Sequence, residues 1–278
     1  MDSPILQDHT VVSLAMNVPG PLACARLVRL GARVVKIEPP WGDPLEHLCS
    51  KWYRELNEDQ EIVRIDLKRE EGRRWLATAL ERAHVLLTSM RPAALKRLSL
   101  DPASLGEGFP HLSHLAIVGH PAPERNLAGH DLTYLAEAGL LRPPRMPATL
   151  AADFVAAERV LSGILQLIMA GASGFSERYL EVAISQAAHD LAIPLSEGLT
   201  EATGILGGGN PFYNLYPTAS GWIAVAALEP HFRARLIDGL QCEPTSDSLT
   251  QAFGKRTALE WEKWAREKDI PMMAVRRG

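Results

Sequence analysis

The chain has 278 residues, a formal net charge of -4 and 46% apolar residues, enough for a substantial core in one or two domains. Its 29 basic residues are interspersed among 33 acidic ones without a cationic stripe, which argues against nucleic acid as a partner. The opening MDSPILQDHT has no basic segment followed by an apolar run, and the longest apolar stretch, 160–172, is broken by Gly163, so a cytoplasmic protein without membrane contact is expected.

Residues 11–16 (VVSLAM) read as a buried strand, and Asn17-Val-Pro-Gly-Pro21 is expected to break it. Helical spacing follows over 22–30, with Gly31 where a C-terminal glycine belongs. Residues 33–38 (RVVKIE) form a second strand closed by Pro39-Pro40, and a strand–helix–strand opening with short joints predicts a parallel sheet. Strands at 62–66, 85–88 and 112–118 then alternate with helices at 69–83 and 92–98, before a proline-rich loop over 119–129. Beyond Asp131 come helices at 132–141 and 153–170, a strand at 178–184, a helix at 185–195 and a flexible glycine loop at 204–210 (GILGGGN). A strand at 222–227 and helices at 230–240 and 258–268 complete the pattern. The expected fold is α/β: a large doubly wound, mostly parallel domain over 1–185 and a smaller α+β domain over 186–278. No GxGxxG is present, so a dinucleotide site has no motif support.

Few residues invite chemistry, and each also has a plain structural reading. His130, at the loop-to-helix junction in NLAGHDLTYLA, is either a polar cap or a general acid–base. Asp131 beside it suits the positive end of a helix. Asp153 lies where a long apolar helix begins; it reads as an N-cap, or as a partly buried carboxylate of raised pKa able to shuttle a proton or attack a carbonyl. Glu229 follows WIAVAAL and precedes Pro230; it is a solvated strand terminus, or an acid at the end of a buried parallel-type strand, where open α/β sheets place their sites. The run Gly207 to Gly209 is a link or a place of close backbone approach to a ligand. Cys24, Cys49 and Cys242 form neither a metal-ligand spacing nor a disulfide framework and are expected to be free thiols.

In order along the chain, VPGPLACARLVRLGARVVKIEPPWGDP, IDLKREEGR, AHVLLTSMRPAALKRLSLDP, AGHDLTYLAEAGLL, ADFVAAERVLSGIL and GGGNPFYNLYPTASGWIAVAALEPHF resemble the family III CoA-transferases, the CaiB–BaiF group. The histidine of Gly-His-Asp and the late Glu-Pro are similar to the alpha-methylacyl-CoA racemase branch. That resemblance implies a racemase or epimerase that moves the α-proton of a 2-methylacyl-CoA-type thioester through an enolate. His130, supported by Glu229, is then one base and Asp153 the base on the opposite face. Asp131, Gly208 and Gly209 would bind the substrate, with Lys36 and Arg91 as contacts to the CoA phosphates and adenosine. Also implied are a homodimer, no metal, and no cofactor beyond the coenzyme A of the substrate. The alternatives are a CoA-transferase with Asp153 as nucleophile, or a diverged member binding another ligand.

Four departures accompany the resemblance. Glu58, Asp59 and Glu61 stand where relatives are basic, and Gly119-His-Pro-Ala-Pro-Glu-Arg125 replaces a Gly-Trp-Gly loop. ASGFSERYLEV replaces a Gly-Lys-Gly-Gln connection, and the sequence ends at DIPMMAVRRG where relatives continue with a segment returning to the large domain.

Overall fold

A computed structural model of the chain describes residues 5–174 and 178–276; the replaced connection ASGFSERYLEV thus falls partly outside the described residues. The chain divides into two units, Met1–Leu191 and Ala192–Gly278. The division lies within one helix rather than at the expected 185.

The first unit opens with β1 (Thr10–Ser13), α1 (Pro19–Arg29) and β2 (Arg33–Glu38). The strand ends before Asn17-Val-Pro-Gly-Pro21 as expected, and Pro19 to Pro21 already belong to the first turn of α1, because proline is preset for the opening helical positions and has no amide to waste there. Gly20 lets that turn approach β1: a Cβ there would lie 2.2 Å from Ala15 Cβ. Two short helices that the apolar pattern missed follow, α2 (Pro44–Leu48) and α3 (Ser50–Leu56), then β3 (Glu61–Arg64), α4 (Glu70–Leu80), β4 (Val85–Thr88) and α5 (Pro92–Arg97). Next come another unforeseen helix, α6 (Pro102–Gly108), and then β5 (Ser113–Val118), α7 (Asp131–Glu137), α8 (Ala151–Ala172), β6 (Tyr179–Ala183) and α9 (Ile184–Ser196). Side-chain caps were the readable signal for two of the helices missed in this unit, since Asp43 accepts the amide of Leu45 and Asp101 that of Ser104.

The six strands are ordered β3-β2-β1-β4-β5-β6, and every pairing is parallel. Val11, Val12, Val85, Leu86, Leu87 and Leu115 are wholly buried, as strands covered on both faces require. One face packs Val11, Leu87 and Leu115 against α1 and α8; the other packs Val12 and Leu86 against Leu76 and Leu80 of α4. The chain builds outward from β1 in one direction and from β4 in the other. The carboxyl ends of β1 and β4 therefore flank a switch point, where adjoining loops diverge and leave a crevice.

Helix α8 runs through Gly163, as the helix expected over 153–170 does, and by length and composition alone it is long enough to cross a membrane. Its Ala156, Ala157, Val160, Ile164 and Leu167 are instead buried in the first unit's core. Gly163 lets it lie close on the sheet, since a Cβ there would stand 2.7 Å from Leu115 Cδ1.

The second unit contains β7 (Tyr213–Pro217), β8 (Trp222–Ala226), α10 (Pro230–Leu240), α11 (Ser246–Phe253), α12 (Ala258–Glu267) and β9 (Met272–Ala274). The order is β7-β8-β9, antiparallel throughout, around a core that includes Ile223, Leu236, Phe253 and Trp261. The glycine run is not a loose link. A Cβ on Gly207 would fall 1.7 Å from the Glu201 carbonyl oxygen and one on Gly209 2.1 Å from that of Thr203, so these glycines exist to let backbone meet backbone.

Candidate active site

At the switch point a cavity of about 240 Å³ opens beyond the carboxyl ends of β1, β4 and β5. His130, Tyr134, Asp153, Arg91, Arg125 and Asn17 contribute to its lining. Two predicted bases thus share one cavity although 22 residues of chain lie between them in the sequence.

His130 is exposed and occupies the N-cap position of α7, but its imidazole makes no cap hydrogen bond. Thr133 serves the local backbone instead: its Oγ1 accepts the His130 amide at 3.0 Å and donates to the His130 carbonyl at 2.8 Å. The ring is left to the cavity. Tyr134, one turn on from His130, was missed from the sequence; the i, i+4 spacing that puts it on the same helix face was the available signal. Its ring is buried against two glycines, for a Cβ on Gly119 or on Gly129 would each come within 2.5 Å of it.

Asp153 is not the N-cap of α8. That helix begins at Ala151, which puts Asp153 in its first turn. The cap function passes to a distant residue: buried Asp131 accepts the Asp153 amide on Oδ1 at 3.0 Å, while its Oδ2 is buried without a hydrogen-bond partner. Burial, together with the charge of Asp131, pushes the Asp153 carboxyl up to about 7. A group at that value is both an effective acceptor and an effective donor of protons near neutrality.

Lys36 requires a correction. It is 1% exposed, and its Nζ lies 2.8 Å from Asp43 Oδ2 and 3.0 Å from Glu38 Oε1, both carboxylates being fully buried. Tyr53 donates to Glu38 at 2.8 Å, and Asp43 Oδ1 accepts the amides of Leu45 and Asn17. Burial raises the Glu38 carboxyl, but Lys36 and Tyr53 more than offset it and hold it below its ordinary value. The ammonium is therefore committed to two acids, and its part is to fix the turn after β1. Asn17, on that turn, has a left-handed φ of 67°, a conformation asparagine tolerates better than most residues.

Arg91 does reach the cavity lining, as the residue that opens α5. Glu229, Gly208 and Gly209 belong to the second unit. The argument for Glu229 from a parallel strand end fails, because β8 is antiparallel on both sides; Glu229 is the exposed N-cap position of α10. Gly208, with φ of 117°, needs to be glycine, and its carbonyl accepts from Asn214 Nδ2 at 3.0 Å. The acidic departure lies away from the crevice: Glu61 starts β3 at the amino edge of the sheet and pairs with Arg33 at 2.6 Å. A second, more apolar cavity of about 570 Å³ adjoins the carboxyl ends of β1 and β2, bordered by Trp41, Lys68, Arg73 and Arg97. Met16 and Met90 line both cavities.

The family model described as CoA-transferase family III matches residues 6–277. The chain belongs to that family. As a member, it is 31% identical over 294 residues to the alpha-methylacyl-CoA racemase of Mus musculus, covering 92% of this chain and 74% of the relative. It is also 32% identical over 136 residues to the cinnamoyl-CoA:phenyllactate CoA-transferase of Clostridium sporogenes, covering 44% of this chain and 33% of the relative. A crystal structure of a hypothetical protein from Mycobacterium tuberculosis shares the fold at 22% identity and a TM-score of 0.86, covering 98% of this chain and 83% of that one. Family III membership makes this chain an enzyme of the racemase and CoA-transferase superfamily.

Proposed function

We propose that this family III member is an acyl-CoA racemase or epimerase that needs no cofactor and moves the α-proton of a 2-methylacyl-CoA-type thioester. The observation that carries the reading is Asp153, a carboxyl raised to about 7 that lines the same cavity as His130. The α-hydrogen of a thioester is a weak acid, so the reaction needs one group to take the proton and another to return one to the opposite face. In one direction neutral His130 accepts the proton as the C–H electron pair becomes the enolate, and protonated Asp153 delivers its own; the reverse direction exchanges the roles. Such acid–base contacts are each worth roughly 10²–10⁴ in rate. The amide of Asp153 is occupied by Asp131, so donors to the enolate oxygen must come from other amides.

The coenzyme fits along the carboxyl edge. Trp41 offers an exposed aromatic face, and Lys68 and Arg97 supply positive charge suited to phosphates in place of the committed Lys36, whereas Arg73 is held by Glu70 and the Lys68 carbonyl. The wall shared through Met16 and Met90 would carry the pantetheine from there towards His130 and Asp153.

A transferase would use Asp153 as a carboxylate nucleophile. The raised carboxyl disfavours that reading, because much of it is protonated near neutrality. The deciding experiment is incubation with enantiopure 2-methylacyl-CoA thioesters in heavy water, followed by NMR. Deuterium at the α-carbon with loss of enantiopurity is expected. No exchange, combined with a hydroxylamine-trapped acyl adduct on Asp153, would establish transfer instead.

A further inference from the structure

The segment from Gly119 to Arg125, one of the departures from the family pattern, contributes to the cavity lining a charged residue that proton transfer does not use. Arg125 lines that cavity, and its Nε lies 3.0 Å from Glu181 Oε2. Glu181 is on β6, in register opposite Ala116 of β5, and the Tyr179 hydroxyl donates to its other oxygen. Tyr179 and Glu181 form a brace from the sheet edge that sets a carboxylate in ion-pair contact with the guanidinium. Among the described residues Nε is buried without a hydrogen bond, and the two terminal nitrogens make none. The lining otherwise holds one guanidinium, Arg91, and one carboxyl, Asp153, while Glu181 meets Arg125 from outside the lining.

We propose that Arg125 selects acyl groups bearing a second carboxylate, so that the substrates are CoA thioesters of short, branched dicarboxylic acids. This rests on the acyl-CoA reading above and deepens it. A guanidinium in ion-pair contact at Nε still presents a two-donor edge that matches a carboxylate bidentately. A wholly aliphatic acyl chain would bring methylenes against that edge and strip it of water without replacing its hydrogen bonds. The cavity of about 240 Å³ also suits a short acyl group better than a long one. The CoA phosphates do not require Arg125, because Lys68 and Arg97 border the separate second cavity.

The test compares 2-methylsuccinyl-CoA with 2-methylbutanoyl-CoA, by calorimetric binding and by α-deuterium exchange. The unsubstituted protein should favour the carboxylated thioester by about tenfold or more, the range of a charge-assisted hydrogen-bonded pair. Arg125→Gln should collapse that preference to near unity, and Arg125→Lys should restore part of it. Equal binding of the two thioesters by the unsubstituted protein would overturn the proposal, as would a uniform loss for both in Arg125→Gln. Because binding needs no chemistry, selective binding without α-exchange would sink the proton-transfer reading and leave the role of Arg125 standing.

Discussion

Asp131 and Asp153 are joined tail to head: the side chain of one caps the backbone of the other, Oδ1 to amide at 3.0 Å, across 22 positions of sequence. One contact does two things. It ties the start of α7, where His130 sits, to the start of α8, and it places a negative charge beside the carboxyl of Asp153.

Asp131→Asn keeps an acceptor for the amide and removes the charge. Burial still raises Asp153, but the contribution from Asp131 is gone, so the Asp153-dependent inflection in the pH profile of kcat/KM should move from about 7 to lower pH. An unmoved inflection would show that the coupling is negligible.

Stability should carry the same signature. The folded Asp153 carboxyl binds its proton more tightly than the ordinary value of 3.8, so the native state loses stability as pH rises from about 4 to about 7. Asp153→Asn removes that cost and is expected to gain about 2 to 4 kcal/mol in denaturant unfolding at pH 8, and little near pH 4.

The two bases should be separable by isotope. His130→Gln and Asp153→Asn should each reduce racemisation roughly 10²–10⁴-fold. Each variant should still exchange the α-proton of one enantiomer, the two favouring opposite ones. Variants that exchange both enantiomers alike would argue against a base on each face.

Lys36→Met would leave Asp43 buried without its cation and Glu38 with Arg64 alone, and a loss of about 3–5 kcal/mol is expected in chemical denaturation. A lower affinity for CoA with unchanged stability would return Lys36 to the role of a phosphate contact.

Gly119→Ala sets a methyl 2.5 Å from Tyr134 Oη and should lower activity by displacing Tyr134 at the cavity rim. Tyr134→Phe removes the atom in collision, so the double variant should be less impaired than the two single effects summed. Simple additivity would show that the contact is not the cause.

Legibility followed the range of the forces involved. β2, β4 and α10 lie where apolar period, proline and glycine place them, because those signals act within a few residues. The short helices α2, α3, α6 and α11 and the strands β7 and β9 escaped, being too brief or too polar for periodicity, although Asp43, Asp101 and Thr245 marked three of the starts. That His130 and Asp153 are candidates was readable from their flanks, and the fold brings both to one cavity. Their neighbours Tyr134, Asn17 and Arg125 were not, apart from the helical spacing of Tyr134 and the suitability of asparagine for a left-handed turn.

By itself the amino-acid sequence determined the family, the alternation of strand and helix, and which side chains had the chemistry to exchange protons. Tertiary structure decided what those side chains are free to do. Lys36 looks like any exposed cation in VVKIE until folding buries two carboxylates beside it. Asp153 looks like a cap until Asp131 takes that place and α8 carries it into the low-dielectric crevice. Charge and desolvation depend on distance in space rather than along the chain, and those distances arise only when parallel strands bring their carboxyl ends together.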